Sequence, residues 1–127
     1  MQSNAEKATI ALYTDWLKTA RSKQLAPSIN HQIWLILAGR GWGKTRTGAM
    51  DTILYALRNP KVQVAVVTPT FGDIRRVAFG GISGILANIP EGCLMAGHGG
   101  GHNSSNAEIN LHNGSKIMGF SATEPDR

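Results

Sequence analysis

Hydrophobic and polar positions alternate along this chain with two different periods. In residues 4–23, Ile10, Tyr13, Leu17 and Ala20 recur at helical spacing, and Asn4 is placed to cap the helix. Pro27 breaks that pattern. "IWLILA", residues 33–38, is short and continuously apolar, as expected of a strand buried on both faces. Residues 44–58 are mostly helix formers, and Asn59-Pro60 ends them. "VQVAVVT", residues 62–68, reads as a second buried strand stopped by Pro69. Residues 71–88 return to a helical period around Ile74, Val77, Ile82, Ile85 and Leu86, weakened by Gly80, Gly81 and Gly84. Two strands each followed by a helix predict βαβ units, hence an α/β fold built on a parallel sheet.

Residues 96–106 form a polar, glycine-rich loop. "EINLHNGSKIMGFS" then alternates apolar and polar residues about Asn113-Gly114, which predicts a hairpin of 107–112 and 115–121 closed by a two-residue turn with positive φ. No internal repeat is present. The whole reads as one partial domain of 127 residues.

Composition narrows the class. Apolar residues make up 42% and charged residues 17%, enough for a packed core and against disorder. Thirteen Lys and Arg against eight Asp and Glu give a net charge of +5, a mild excess that suits an anionic partner. The basic residues are scattered, with Lys18, Arg21 and Lys23 the one loose cluster outside the glycine-rich loop. A single cysteine, Cys93, precludes an internal disulfide. No apolar run approaches the length of a membrane span, and the N-terminus lacks the basic start and apolar centre of a signal peptide. These features predict a soluble protein of the cytoplasm with no membrane partner.

The candidate chemistry lies in "LAGRGWGKTRTGA". A phosphate-binding loop has glycine, four residues, then Gly-Lys-Ser/Thr, after a strand and before a helix. Here Ala38 occupies the first glycine position, and Gly39, Gly41 and Gly43 follow. Glycines let successive N–H groups converge on an anion, and the positive end of the next helix adds to the attraction. Lys44 is placed to reach the β- and γ-phosphates, and the Thr45 hydroxyl to ligate Mg²⁺. The candidate nucleotide-binding residues are Gly39, Arg40, Gly41, Trp42, Gly43, Lys44, Thr45 and Arg46. Of these, Arg46 is expected to face outward, and Trp42 either packs on the following helix or lies beside nucleotide. Hydrolysis also requires a carboxylate at the end of a strand on the Mg²⁺ side. No apolar run ends in Asp or Glu: Asp51 falls in the first helix after the loop, and Asp73 at the start of the next.

With these residues in view, the sequence resembles the ATPase domain of large terminase subunits, the motors that package DNA into tailed-phage capsids. "WLILAGRGWGKTRTGA" is similar to that family's variant phosphate loop, "VAVVTPTFGDIRRV" to its next strand and turn, and "GSKIMGFSATEPDR" to its hairpin strand and the segment after it. The match spans residues 33–127 in the family's order. It implies a P-loop NTPase of the helicase-like, RecA type: a parallel sheet flanked by helices, with a C-terminal β-hairpin. It implies ATP and Mg²⁺ as cofactors, with Lys44 and Arg40 acting in catalysis, Arg40 as the arginine that senses or stabilises the γ-phosphate. It implies double-stranded DNA, a portal and a small terminase subunit as partners, and a homo-oligomeric ring in a phage-infected bacterial cell. In the family, the strand bearing the Mg²⁺-side carboxylates follows Pro125-Asp126-Arg127 and lies inside the sheet beside the phosphate-loop strand. The chain therefore reads as an incomplete ATPase domain, without the nuclease domain, that binds nucleotide and hydrolyses it poorly or not at all. Its core is expected to be compromised, or completed by another chain. Two other readings remain open: a different helicase-like P-loop ATPase, and a non-catalytic nucleotide-binding or interaction module.

Other residues give weaker signals. Cys93, His98, His102 and His112 include zinc-ligand types, but their spacing fits no standard finger, and a polar loop is the expectation. Gln24 or Gln32 resembles the glutamine that contacts adenine in helicase-like ATPases. Thr68-Pro69-Thr70 is similar to a turn that touches nucleic acid in related helicases, and Arg75 and Arg76 either touch DNA or form a solvated face. Trp34 is expected in the core.

Overall fold

The computed structural model describes residues 3–96, 101–103 and 106–123. The chain opens with helix α1 (Asn4–Thr19) and a single 3-10 turn, Ser22–Gln24. Helix α2 (Lys44–Arg58), strand β1 (Gln63–Thr68), a one-turn helix α3 (Phe71–Asp73) that continues as a π-helix over Ile74–Phe79, and helix α4 (Ile85–Asn88) follow. Strands β2 (His102–Asn103), β3 (Glu108–Asn110) and β4 (Lys116–Ser121) complete it.

The result is α/β: a four-stranded mixed sheet in the order β1-β4-β3-β2, flanked by helices. Only β1 and β4 are parallel, in unbroken register from Gln63↔Lys116 to Thr68↔Ser121. The others pair antiparallel. The parallel part of the sheet is smaller than expected, limited to the β1–β4 pair, because residues 33–38 form no strand. Ile33, Leu35 and Leu37 are 84%, 72% and 86% exposed, while Trp34, Ile36 and Ala38 are half-buried. A strand buried on both faces needs a hydrogen-bonded neighbour and layers above and below, and among the described residues this segment has no strand neighbour and no cover over its outward face. Trp34 is likewise half-buried rather than core.

Helix α2 forms as read and ends at Arg58, with Asn59 as its C-cap. The 71–88 region is broken, in keeping with its glycines, into α3, the π-turns and α4. Helix α1 is shorter than expected and capped one residue earlier, by Ser3, whose hydroxyl accepts from Glu6 N–H at 3.1 Å. Its buried stripe is not the one expected: Ala5, Ala8, Thr9, Leu12 and Trp16 turn inward, while Ile10, Tyr13 and Leu17 remain 50%, 39% and 45% exposed. Two equally spaced stripes compete on this helix. The Trp16 indole, 6% exposed against Met50 and Leu54 of α2, decides it.

The hairpin forms, but its turn is longer than two residues. Gly114 N–H bonds to Leu111 carbonyl at 3.0 Å and Leu111 N–H to Ser115 carbonyl at 2.9 Å. Gly114 alone takes positive φ (86°), and Asn113 does not. The pattern is a turn at 111–114 followed by a glycine bulge. Asn113 turns its side chain to α2 instead. Its amide donates to the carbonyls of Ala56 (2.8 Å) and Leu57 (3.1 Å) at the open end of that helix. Ser115 donates to Asn59 carbonyl at 2.7 Å and accepts from Val62 N–H at 3.2 Å. The main core, between α2, the sheet and the π-helix, contains Ile53, Ala56, Ile74, Phe79, Ile109, Leu111 and Ile117, each almost wholly buried.

Candidate functional site

The glycine-rich loop runs from Gly39 to the first turn of α2. Gly41 (φ 80°) and Gly43 (φ 91°) occupy the left-handed region that disfavours side chains, so glycine is required at both. Gly39 has neither a positive φ nor a neighbour to obstruct a methyl group, and Ala38 is not left-handed. The alanine at the first motif position is therefore compatible with the turn. Gly43 is the N-cap of α2 and offers no side chain to its free N–H groups.

Lys44 folds back across the loop, its Nζ donating to Ala38 carbonyl at 2.5 Å. Thr45 is exposed beside it, and both line two cavities that flank the start of the helix. One, of about 440 Å³, opens between α2 and β1 and also touches Thr68 and Asp73. The other, of about 390 Å³, is bordered by residues 41–46, Arg76 and Ile82. Arg40 is exposed in the turn. The Arg46 guanidinium lies over the Trp16 ring at 5.6 Å from its centroid, on the α1 side.

Charge at this end of α2 is one-sided. The first turn contains no acid but does contain Lys44 and Arg46, at the pole where the helix dipole disfavours cations. Arg21 and Arg40 are close in the chain or in space to the same loop. Among the described residues none of these four has a carboxylate within 4.0 Å; the ion pair that does form, Lys116 to Glu108 at 3.9 Å, belongs to the hairpin. Asp51, about two turns along α2, faces a separate cleft with Tyr13 and Trp16. Burial there raises its carboxyl pKa, with His31 opposing the shift.

Three residues reach the loop in ways the sequence does not disclose. Asp73 lines the same cavity as Lys44 and Thr45, which spacing alone does not disclose. Arg21 donates to the Trp42 carbonyl and stacks over the Trp42 ring at 5.2 Å. Gln24 is buried against Gly43 and Thr47. Arg21 carried one legible signal, its place in the basic cluster with Lys18 and Lys23. Gln24, a candidate for an adenine contact, is buried with its amide bonded to Arg21 N–H and Thr47 Oγ1, while Gln32 is exposed.

The remaining candidates separate from the loop. Thr68 and Thr70 spend their hydroxyls internally: Thr68 donates to Thr70 carbonyl at 2.6 Å, and Thr70 caps α3 by accepting from Asp73 N–H at 3.2 Å. Pro69 carbonyl accepts from Ser121 and Thr123, which ties this turn to the end of β4. Cys93 is wholly buried under α1, near Thr9 hydroxyl and Ala5 carbonyl; burial pushes its thiol pKa up, the opposite of what a zinc thiolate requires. His102 stands edge-on to Phe79. His98 and residues 124–127 lie outside the described residues. Among those described, no three His, Cys, Asp or Glu converge, and no helix is long and apolar enough to cross a membrane.

Comparison of the chain with family models, with characterised proteins and with solved structures returned no match.

Proposed function

We propose that this chain binds a nucleoside triphosphate with Mg²⁺ at residues 39–45, and that it is the ATP-binding portion of a terminase large subunit with a P-loop NTPase fold. The observation that carries the reading is the uncompensated positive charge at the start of α2. Two left-handed glycines, the free helix N–H groups and Lys44 meet there, with Arg40 exposed in the same turn, and among the described residues no carboxylate pairs with either cation. A phosphate chain seated on the loop would meet the N–H groups and Lys44 together.

In this reading the loop N–H groups and Lys44 hold the β- and γ-phosphates, and Lys44 exchanges the Ala38 carbonyl for phosphate oxygen. The Thr45 hydroxyl holds Mg²⁺, which supplies charge neutralisation between the phosphates. Arg40 is free to meet the γ-phosphate. The larger assembly implied by the resemblance, with double-stranded DNA, a portal, a small subunit and a homo-oligomeric ring in a phage-infected cell, is proposed on the three sequence stretches alone. A reading of binding without turnover is favoured over full ATPase action, because none of the four described strands ends in a carboxylate.

Titration calorimetry of the purified chain with MgATP tests the assignment. Lys44→Ala is expected to weaken binding by at least about tenfold, the loss of one charge-assisted contact. Binding unchanged in that variant sinks the site, and ATP turnover that Lys44→Ala abolishes overturns the binding-only reading.

A further inference from the structure

Beneath the glycine-rich loop, the turn that follows α1 makes a set of contacts that no phosphate-loop motif requires. Gln24 uses both ends of its amide. Its Oε1 accepts from Arg21 N–H at 2.9 Å, and its Nε2 donates to Thr47 Oγ1 at 3.1 Å. Thr47 is wholly buried, and its single hydroxyl proton already goes to Gly43 carbonyl at 2.8 Å. Thr47 can therefore only accept from residue 24, while Arg21 N–H can only donate to it. A glutamate at 24 sets two acceptors against each other, and an alkyl side chain leaves both partners unmet. The same amide fills the space beside Gly43: a Cβ there would lie 2.7 Å from Gln24 Nε2. From the other side Arg21 holds Trp42, by a hydrogen bond to its carbonyl and by stacking on its ring.

We infer that Arg21 and Gln24 are positioning residues for the phosphate loop: they bracket Trp42 and Gly43, and through Thr47 the first turn of α2, in the anion-binding conformation. The inference rests on the nucleotide reading for its functional consequence, but the contacts of the bracket are all within the protein. It assigns Gln24 a role distinct from base recognition. A residue that reads adenine changes affinity for ATP alone. A residue that shapes the loop changes affinity for every ligand with the same phosphates, because it alters the preorganisation of the N–H donors.

Two variants test this. Gln24→Met keeps the side-chain volume and removes both hydrogen bonds. Arg21→Lys, at an exposed position, keeps the charge and removes the planar stack on Trp42. Hydrogen exchange of the ligand-free protein is measured over residues 39–47, beside Kd values for MgATP, MgGTP and magnesium tripolyphosphate and the melting temperature. In both variants the loop amides are expected to exchange faster while the sheet amides do not. Affinity is expected to fall by about tenfold for all three ligands alike, the worth of a lost preorganising contact. Loss confined to MgATP, or loop exchange unchanged in both variants, overturns the bracket. If Gln24→Met does not fold, Arg21→Lys decides by the same two readouts. Failure of the wild-type chain to bind any of the three ligands sinks the nucleotide reading, and the exchange data still decide the bracket.

Discussion

Two aliphatic stretches lie on either side of α2, and they end in opposite circumstances. Gln63–Thr68 is a strand with six paired neighbours on β4, its Val64 and Val66 turned into the core. Residues 33–38 are richer in large aliphatics, yet among the described residues they have no strand partner, and their outward leucines and isoleucine are among the most exposed apolar side chains there. The difference lies outside both stretches. Strand propensity measures fit to a pleated, half-buried surface that other segments must supply. β4 supplies one to 63–68, and nothing among the described residues supplies one to 33–38. β1 is itself an edge: Val62 and Thr68 carbonyls face β4, so the alternate residues between them turn their backbone groups away, and Val67 is 63% exposed.

Substitutions on the two sides of this contrast separate in size. Ile117, wholly buried in β4 and paired with both Val64 and Ile109, anchors the ordered side. Ile117→Ala is expected to lower unfolding free energy by about 2–5 kcal/mol in urea denaturation, the usual cost of a core cavity. Next in size is Gly119→Ala in the same strand. The added Cβ would sit 2.7 Å from Ile74 Cγ2 and 3.2 Å from Ala107 Cβ, and overpacking of this kind costs about 1–3 kcal/mol. Leu37→Ser, on the unpaired stretch, is expected to change stability by less than about 0.5 kcal/mol, as at other exposed sites. A cost there comparable to Ile117→Ala, read from the same urea curves, breaks the comparison and means that 33–38 is buried in solution.

The same contrast explains what was legible in the sequence. The α2 limits, the hairpin and the glycine-rich loop follow from local rules: a run of helix formers closed by Asn59, alternation about Asn113-Gly114, and glycines where φ must be positive. Local rules do not choose between competing partners. They left Trp16 out of the α1 stripe, because which face is buried is decided by Met50 and Leu54 on another helix. They made 33–38 a strand, because a neighbour was assumed. In the site, Lys44, Thr45 and the glycines were visible as a motif. Arg21 and Gln24 meet the loop across 21 and 23 residues of chain, and only packing brings them there.

The turn at Asn113 bears on the order of events when the chain is made. It closes the back of α2 from 57 residues further along, and Ser115 does the same for Asn59 from 56. On a ribosome, the helix that begins with the glycine-rich loop is therefore synthesised long before its last carbonyls have partners. At ordinary elongation rates that interval is on the order of several seconds. Until then the end of α2 is free to fray, and the helix completes its final turn in the same step that docks the hairpin. Synthesis thus sets a timetable in which the front of α2 can settle early and its rear waits for the hairpin.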